Sequence, residues 1–339
     1  MFQKYLHPHY FALEKGGQLK NLEIGYCTYG QLNAAKNNVV WVCHALTASA
    51  DVADWWPGLV GAGSLINPEE HFIVCANILG SCYGTTGPLS TQADTENLYY
   101  ASFPKITMRD MVRAHILLSK HLGVEKINLL IGGSMGGYQA LEWSLMQPDK
   151  IEQLFLLATS AKESAWGIAI HTAQRLAIEA DTTFGNATSH AGEKGLKAAR
   201  AFGMLTYRSY ELMEEQQSDE DINKTENFKA ASYIHYQGEK LTQRFNAYSY
   251  YRLTQAMDSH NIARDRTHSL EDALELVQAK TLIIGIVKDM LCPVTEQRFL
   301  HRYIPGSTLV EIDSPYGHDG FLTETEQIGK VLKGWWNKP

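Results

Sequence analysis

The architecture of this chain follows from Ile127-Asn-Leu-Leu-Ile-Gly-Gly-Ser-Met-Gly-Gly-Tyr138. An apolar run leads into Gly132-x-Ser134-x-Gly136, and apolar residues at helical spacing continue from there to Pro148. This order predicts a buried strand, a sharp turn with the serine at its tip, and then a helix. The two glycines remove side chains that would collide with the strand and the helix. We therefore expect the Ser134 hydroxyl to stand above the edge of a sheet as a nucleophile.

Apolar runs of strand length alternate with helical segments along the chain, which predicts a mostly parallel sheet covered by helices on both faces. Together with the serine turn, this pattern is typical of the α/β-hydrolase fold. The predicted strands are Leu22–Tyr29, Val39–Cys43, Phe72–Ala76, Ile127–Ile131, Leu154–Ala158, Thr281–Val287 and Thr308–Ile312.

The segment from residue 162 to residue 279 has helical and polar patterning and no convincing strand. A structureless loop of that length would be unusual inside a compact domain, so we interpret the segment as a helical lid inserted into the sheet domain. The expected organisation is a first part of the α/β core at 1–161, a helical lid at 162–279 and a second part of the core at 280–339.

Composition excludes several classes of function. The chain has 339 residues, with 30 basic and 37 acidic residues and a net charge of −7. No basic block would follow a nucleic acid backbone or an anionic membrane, and no stretch predicts a signal peptide or a membrane span. Its 5 cysteines are scattered and lack a C-x-x-C pair, which predicts reduced thiols in a cytoplasmic protein.

A nucleophilic serine needs a histidine base and a carboxylate that orients the histidine, in the chain order serine, acid, histidine. Asp289 follows the strand that starts at Thr281, and His318 follows the last strand, so both should reach the same rim as Ser134. Asp313 and Asp319 are rivals for the acid, although Asp319 adjoins the histidine and is poorly placed to orient its ring.

The same fold stabilises the oxyanion with one amide from the residue after the serine and one from a loop after an earlier strand. Met135 supplies the first amide, helped by the helix dipole. The strand Val39–Cys43 ends in His44-Ala-Leu-Thr47, so we expect Leu46 to supply the second. The alternative is that this segment is only a strand-end turn.

The chain resembles the homoserine O-acetyltransferases of methionine biosynthesis over nearly its whole length. The residues that carry the resemblance are Ile24-Gly-Tyr-Cys-Thr-Tyr-Gly30, His44-Ala-Leu-Thr47, Asn77-Ile-Leu-Gly-Ser-Cys-Tyr-Gly-Thr-Thr-Gly-Pro88, Thr107-Met-Arg-Asp-Met-Val-Arg113, Gly132-Gly-Ser-Met-Gly-Gly137, Tyr236-Gln-Gly-Glu-Lys240 and Tyr316-Gly-His-Asp319. The resemblance implies a ping-pong transfer of an acyl group from acyl-coenzyme A, through the serine, to L-homoserine. It also implies a homodimer formed through lid helices.

The resemblance further implies roles for three residues of the acceptor site. Arg200 and Tyr207 match the lid residues that hold the amino-acid carboxylate, and Asp319 matches a residue near the amino group. A guanidinium suits a carboxylate, and a carboxylate suits an ammonium group. A solvated lid arginine is the alternative for Arg200. No metal or prosthetic group is expected, and acetyl-CoA enters only as a co-substrate.

Five residues near the predicted site depart from the family pattern: Ala48, Asp51, Lys288, Met290 and Gly320. These changes affect pocket walls rather than the predicted triad. A succinyl donor and a serine acceptor therefore remain open alternatives. A carboxylesterase-type hydrolase is a more distant alternative, because it would use the same triad and differ in how well it excludes water. A non-catalytic binding protein on this fold would have no need of all three triad residues.

Overall fold

The protein is described by a computed structural model covering residues 1–336. Its strands are β1 Phe2–Leu6, β2 Phe11–Ala12, β3 Gln18–Leu19, β4 Glu23–Tyr29, β5 Val39–Cys43, β6 Phe72–Ala76, β7 Ile127–Gly133, β8 Ile151–Leu157, β9 Lys280–Ile286 and β10 Thr308–Ile312. Eight of them form one sheet in the order β1-β4-β6-β5-β7-β8-β9-β10, and β2 pairs with β3 in a small hairpin. From β6 to β10 the sheet is parallel, which confirms the expected α/β architecture.

Successive side chains of a strand point to opposite faces of the sheet. Here they pack in two different apolar clusters, so both faces of the sheet are buried. Trp41 of β5 packs in one cluster and Val40 in the other. The helices are α1 Val52–Trp55, α2 Met108–His121, α3 Met135–Met146, α4 Ala165–Glu179, α5 Glu193–Tyr207, α6 Tyr210–Gln217, α7 Lys229–Thr242, α8 Ala247–Asp258, α9 Leu270–Leu274, α10 Val294–Tyr303, α11 Gly320–Thr323 and α12 Thr325–Trp336. Helix α3 covers the first face through Leu141, and α12 covers the second through Leu332.

Residues 158–279, all of which the structure describes, contain the helices α4 to α9 and no strand. We call residues 162–279 the lid. Its first two long helices cross closely, since a Cβ at Gly195 of α5 would lie 2.5 Å from the Cα of Ile178 of α4. The end of the lid is tied to the core by ion pairs, including one of 2.7 Å between Arg264 and Glu14. Buried apolar side chains of this segment, such as Ile178 and Leu253, also lie in the same cluster as those of the first face of the sheet. The segment is therefore joined to the sheet by apolar packing as well as by charged groups.

The structure differs from the expectation in the short hairpin of β2 and β3, which was not predicted, in small shifts of strand ends, and in two larger respects. The edge strand β1 was not predicted, because most of its side chains are exposed and it lacks a long apolar run. Strand β8 begins at Ile151 rather than Leu154, since Glu152 and Gln153 interrupt the apolar pattern. Within residues 1–336, no helix has both the length and the apolar character needed to cross a bilayer.

Candidate active site

Ser134 occupies the turn between β7 and α3, as its sequence context predicts. Its φ of 53° and ψ of −127° lie in a region that side-chain-bearing residues rarely adopt. A Cβ at Gly132 would lie 2.1 Å from the Gly136 carbonyl oxygen, and one at Gly136 would lie 2.0 Å from the Cys43 carbonyl oxygen. Only glycine fits at either position. The turn is further held by the Ser134 amide, which donates to the Leu157 carbonyl at 2.9 Å.

A continuous chain of hydrogen bonds joins the serine, a histidine and an aspartate. The Ser134 hydroxyl donates to His318 Nε2 at 2.8 Å, and His318 Nδ1 donates to Asp289 Oδ2 at 2.7 Å. The other carboxylate oxygen, Oδ1, accepts the backbone amides of Leu291 and Cys292, each at 2.8 Å. The Asp289 side chain is fully buried and the His318 side chain nearly so. Both oxygens of this carboxylate therefore accept hydrogen bonds, Oδ2 from the His318 ring and Oδ1 from the loop after β9.

The rival acid is placed elsewhere. The Asp313 side chain is 72% exposed and lies 3.9 Å from the ammonium group of Lys288. It belongs to the surface, so the geometry brings Asp289 and not Asp313 to His318.

The pKa of His318 lies above the usual histidine value. Burial alone would lower it, but the charge of Asp289 and its hydrogen bond to Nδ1 outweigh the burial. The negative charges of Asp319 and Glu163 raise the pKa further. The imidazole is thus a stronger base than a free histidine would be.

The loop of residues 44–50 follows β5 and lies beside the serine turn. Gln139 Nε2 of α3 donates to the His44 carbonyl at 3.1 Å, and the Ile78 amide donates to His44 Nε2, also at 3.1 Å. Burial lowers the pKa of His44 to about 4, so this ring is neutral. Its role is to hold the loop through these hydrogen bonds. Leu46 lines the same cavity as Ser134, and Met135 begins α3 directly after the serine. Both expected oxyanion donors therefore belong to segments that border the Ser134 hydroxyl.

A cavity of about 560 Å³ opens above Ser134. This volume is within the usual range for small-molecule sites. The walls come from the loop after β5, from the lid helices α4, α5 and α7, and from the segment around His318. Lining residues from these walls include Leu46, Thr47, Trp55, His171, Gln174, Arg200, Tyr207, Lys240, Arg244, His318 and Asp319.

The three residues expected to bind the acceptor meet in this cavity. The Arg200 guanidinium lies 5.3 Å from the centre of the Tyr207 ring, and that ring lies 6.0 Å from the imidazole of His318. The Nε atom of Arg200 is buried and has no hydrogen-bond partner within residues 1–336. A buried donor without a partner is costly, and this one belongs to a residue that lines the cavity above Ser134.

Asp319 has a partner that the sequence did not reveal. Its carboxylate lies 3.2 Å from Nε of Arg208, at the end of α5. Burial nevertheless raises the pKa of Asp319, despite the opposing charges of Arg208 and His318. Arg208 follows Tyr207 in the chain, and no local pattern distinguishes it from a surface arginine.

The α4 wall also contributes two residues that the sequence patterns did not select. His171 Nδ1 donates to Asp258 at 2.8 Å, and Gln174 has a buried Oε1 without a hydrogen-bond partner within residues 1–336. The spacing of three residues on a helix would place both on one face, but only the folded lid turns that face toward Ser134. Over the same residues, no cluster of three or more His, Cys, Asp or Glu side chains is arranged to hold a metal ion.

Comparisons with known proteins show which family the chain is similar to. Residues 38–325 match the family model of the alpha/beta hydrolase fold. The homoserine O-acetyltransferase of Cyclobacterium marinum is 46% identical over 325 residues, covering 96% of this chain and 92% of that protein. The crystal structure of homoserine O-acetyltransferase from Staphylococcus aureus is 29% identical, covers 100% of this chain and 95% of its own, and superposes with a TM-score of 0.82.

Esterase E22 superposes with a TM-score of 0.90 at 23% identity, covering 99% of this chain and 100% of its own, which shows a shared fold. The sequence likeness is much higher for the acetyltransferase of Cyclobacterium marinum and extends over almost the entire chain. The chain therefore belongs to the homoserine O-acetyltransferase family within the alpha/beta hydrolase fold.

Proposed function

We propose that the chain transfers an acetyl group from acetyl-CoA, through Ser134, to the γ-hydroxyl of L-homoserine. The observation that carries this proposal is the hydrogen-bonded chain of Ser134, His318 and Asp289 at the floor of a cavity that also contains an unpartnered arginine donor. The triad supplies acyl transfer, and the arginine supplies recognition of a carboxylate. We further propose that the lid shields the site as a helical unit between the core segments 1–161 and 280–339.

In the first half-reaction, Ser134 Oγ attacks the thioester carbonyl while its proton moves to His318 Nε2. The amides of Leu46 and Met135 stabilise the oxyanion that forms. The carbon–sulfur bond then breaks, and His318 returns the proton to the coenzyme A thiolate. Coenzyme A leaves, and the acetyl group remains on the serine.

In the second half-reaction, His318 takes the proton of the homoserine hydroxyl as its oxygen attacks the acetyl ester. The intermediate collapses to O-acetyl-L-homoserine, and Ser134 Oγ recovers a proton from the imidazole. Both half-reactions therefore require His318 to be neutral at the start.

This requirement sets the expected pH dependence. Below its pKa the imidazole carries a second proton and cannot act as a base, so kcat/KM should fall as the pH decreases through that value. Because Asp289 raises the pKa of His318, the midpoint of the fall should lie above the ordinary histidine pKa of about 6.5. A pH profile of kcat/KM for acetyl-CoA measures it. A profile that stayed flat until well below that value would contradict His318 as the base.

For the acceptor, we propose that Arg200 and Tyr207 hold the carboxylate of homoserine and that Asp319 lies near its ammonium group. The Arg200→Ala variant should keep acetylation of Ser134 nearly intact but lose transfer to homoserine. Loss of a charge-assisted pair in a partly buried site costs about 2 to 5 kcal/mol, so kcat/KM for homoserine should drop by about thirty-fold to several thousand-fold. Single-turnover kinetics with each half-reaction separate the two effects.

Lys197→Ala is a suitable control for that variant, because Lys197 lies on the same helix and forms a 2.8 Å ion pair with Glu239 outside the cavity. It should behave like the wild type. Arg200→Lys should recover only part of the activity, since an ammonium group cannot form two parallel bonds to a carboxylate. Equal loss of acetylation and transfer in Arg200→Ala would move the carboxylate role to another residue.

The direct test of the proposed function is release of free coenzyme A from acetyl-CoA and from succinyl-CoA, each with homoserine, with serine or with no acceptor. We expect rapid release only with acetyl-CoA and homoserine together. Release that needed no acceptor would indicate a hydrolase, and release with succinyl-CoA or serine would change the donor or the acceptor.

We also propose a cytoplasmic homodimer assembled through the lid. The lid carries exposed apolar side chains on several helices, including Leu176, Phe202, Leu205 and Tyr236. Burial of such side chains between two copies would remove them from water. The free state of all five cysteines supports a reducing compartment. Sedimentation equilibrium would reveal a monomer if the dimer proposal is wrong.

A further inference from the structure

Arg244 joins the lid to the loop that carries Leu46. Its Nη1 donates to the backbone carbonyl of Thr47 and, at 2.6 Å, to the hydroxyl of Tyr83. Its Nη2 lies 3.4 Å from the Thr47 hydroxyl. Thr47 directly follows the residue whose amide we assign to the oxyanion hole, so a lid side chain holds the loop two peptide units beyond that donor.

The guanidinium is presented from a well-fixed segment between α7 and α8. The Arg244 carbonyl accepts a hydrogen bond from the thiol of Cys82 at 3.6 Å. The next residue, Phe245, is buried against the Tyr83 ring, with 5.7 Å between the ring centres. Asn246 then caps α8 by accepting the amide of Ser249 at 2.8 Å. These contacts limit the positions that the Arg244 side chain can take.

The core anchors the two ends of the same loop. His44 is held at the start by Gln139 and Ile78, and the Ala50 amide at the far end donates to Asn77 Oδ1 at 2.8 Å. Between these ends, the Thr47 carbonyl is held by the lid. The direction of the intervening peptides thus depends on the core and the lid together.

We infer that Arg244 is a positioning residue that fixes the Leu46 amide and so completes the oxyanion hole from the lid side. This inference rests on the proposed acyl-enzyme function. One oxyanion donor is worth about a hundred-fold to a thousand-fold in kcat, so partial misdirection of the Leu46 amide should cost less than complete loss. Loss of the Arg244 side chain should therefore lower the rate of the chemical step, by a factor that does not depend on the size of the acetyl donor.

A competing role is binding of the donor's phosphates, because Arg244 and Lys240 both line the cavity. The two roles separate with two acetyl donors. Acetyl-CoA carries phosphates, whereas p-nitrophenyl acetate carries none and still needs the oxyanion hole. We expect Arg244→Ala to slow acetylation of Ser134 by about ten-fold to a hundred-fold with both donors at saturation. Arg244→Lys should recover part of the rate.

Arg252→Ala is the matched control. Arg252 also reaches from the lid to a core carbonyl, donating to Ala101 at 2.7 Å, but it is not among the residues that line the cavity. It should acetylate at nearly the wild-type rate. Tyr83→Phe removes only one acceptor of Arg244 and keeps the ring against Phe245, so it should lower the maximal rate a few-fold with both donors even if Arg244→Ala folds poorly.

Three results would overturn the inference. They are a loss confined to the KM for acetyl-CoA, an equal loss in Arg252→Ala, and wild-type acetylation rates in Arg244→Ala and Tyr83→Phe. The pH profile should keep its shape in every variant, because His318 and Asp289 are untouched. Failure of the wild type to form an acetyl-enzyme would instead contradict the proposed function, so the two failures are distinguishable.

Discussion

The Ser134→Ala variant should lose about a million-fold in turnover while its folding is almost unchanged. The missing oxygen is the nucleophile of both half-reactions, and no other group replaces it. The fold should persist because the Ser134 side chain does not cap α3, so its one structural loss is the hydrogen bond to His318. Alanine can occupy the same backbone conformation at a similar cost, since it differs from serine by one oxygen atom.

Mass spectrometry of the acyl-enzyme gives the decisive measurement. Wild-type protein incubated with acetyl-CoA and no acceptor should gain one acetyl group on the peptide that contains Ser134, and the variant should gain none. Ser160→Ala is a control, because this buried serine donates to the Lys162 carbonyl at 2.7 Å and lies outside the hydrogen-bonded chain. Acetylation at a cysteine or at another serine would show that the nucleophile was misassigned.

The serine turn could be predicted from sequence because its backbone imposes requirements on its immediate neighbours. The close approaches at Gly132 and Gly136 exclude any side chain, so the requirement is visible as two glycines at fixed spacing. Asp289 and His318 could be proposed because each follows a recognisable strand of the parallel sheet. The sequence favoured Asp289 and kept Asp313 as a rival because both follow strands, and in the folded chain only Asp289 has its carboxylate buried against the imidazole.

The lid residues were harder to predict for a physical reason. Arg208 meets Asp319, and Arg244 meets Thr47, across more than a hundred residues of chain in each case. Such contacts depend on how the lid helices pack and not on any local propensity. The edge strand β1 was missed because exposure removes the apolar pattern on which strand prediction relies. Pattern-based inference therefore works best where a local backbone requirement or a buried face restricts the residue type.

The Asp289→Asn variant should lose about ten-thousand-fold in kcat, although asparagine has nearly the same shape as aspartate. The Leu291 and Cys292 amides already donate to Oδ1, so the asparagine oxygen must remain on their side. The new amino group then faces His318 Nδ1 as a donor. The imidazole must accept there and carry its proton on Nε2, where it can no longer take the proton of Ser134.

The same substitution removes the negative charge that raises the pKa of His318, so the acidic limb of the pH profile should move to lower pH while the maximal rate falls. Asp313→Asn is the control, because that side chain is exposed and should leave both quantities unchanged. A simple loss of stability would lower the rate without moving the limb. If Asp289→Asn kept near-normal activity and Asp313→Asn lost it, the orienting acid would have to be Asp313, which would require the last strand to turn its carboxyl end toward His318. Asp289 both raises the pKa of His318 and orients its ring, so its replacement should change the maximal rate and the position of the acidic limb together. Measuring both quantities therefore tests the tautomer argument itself.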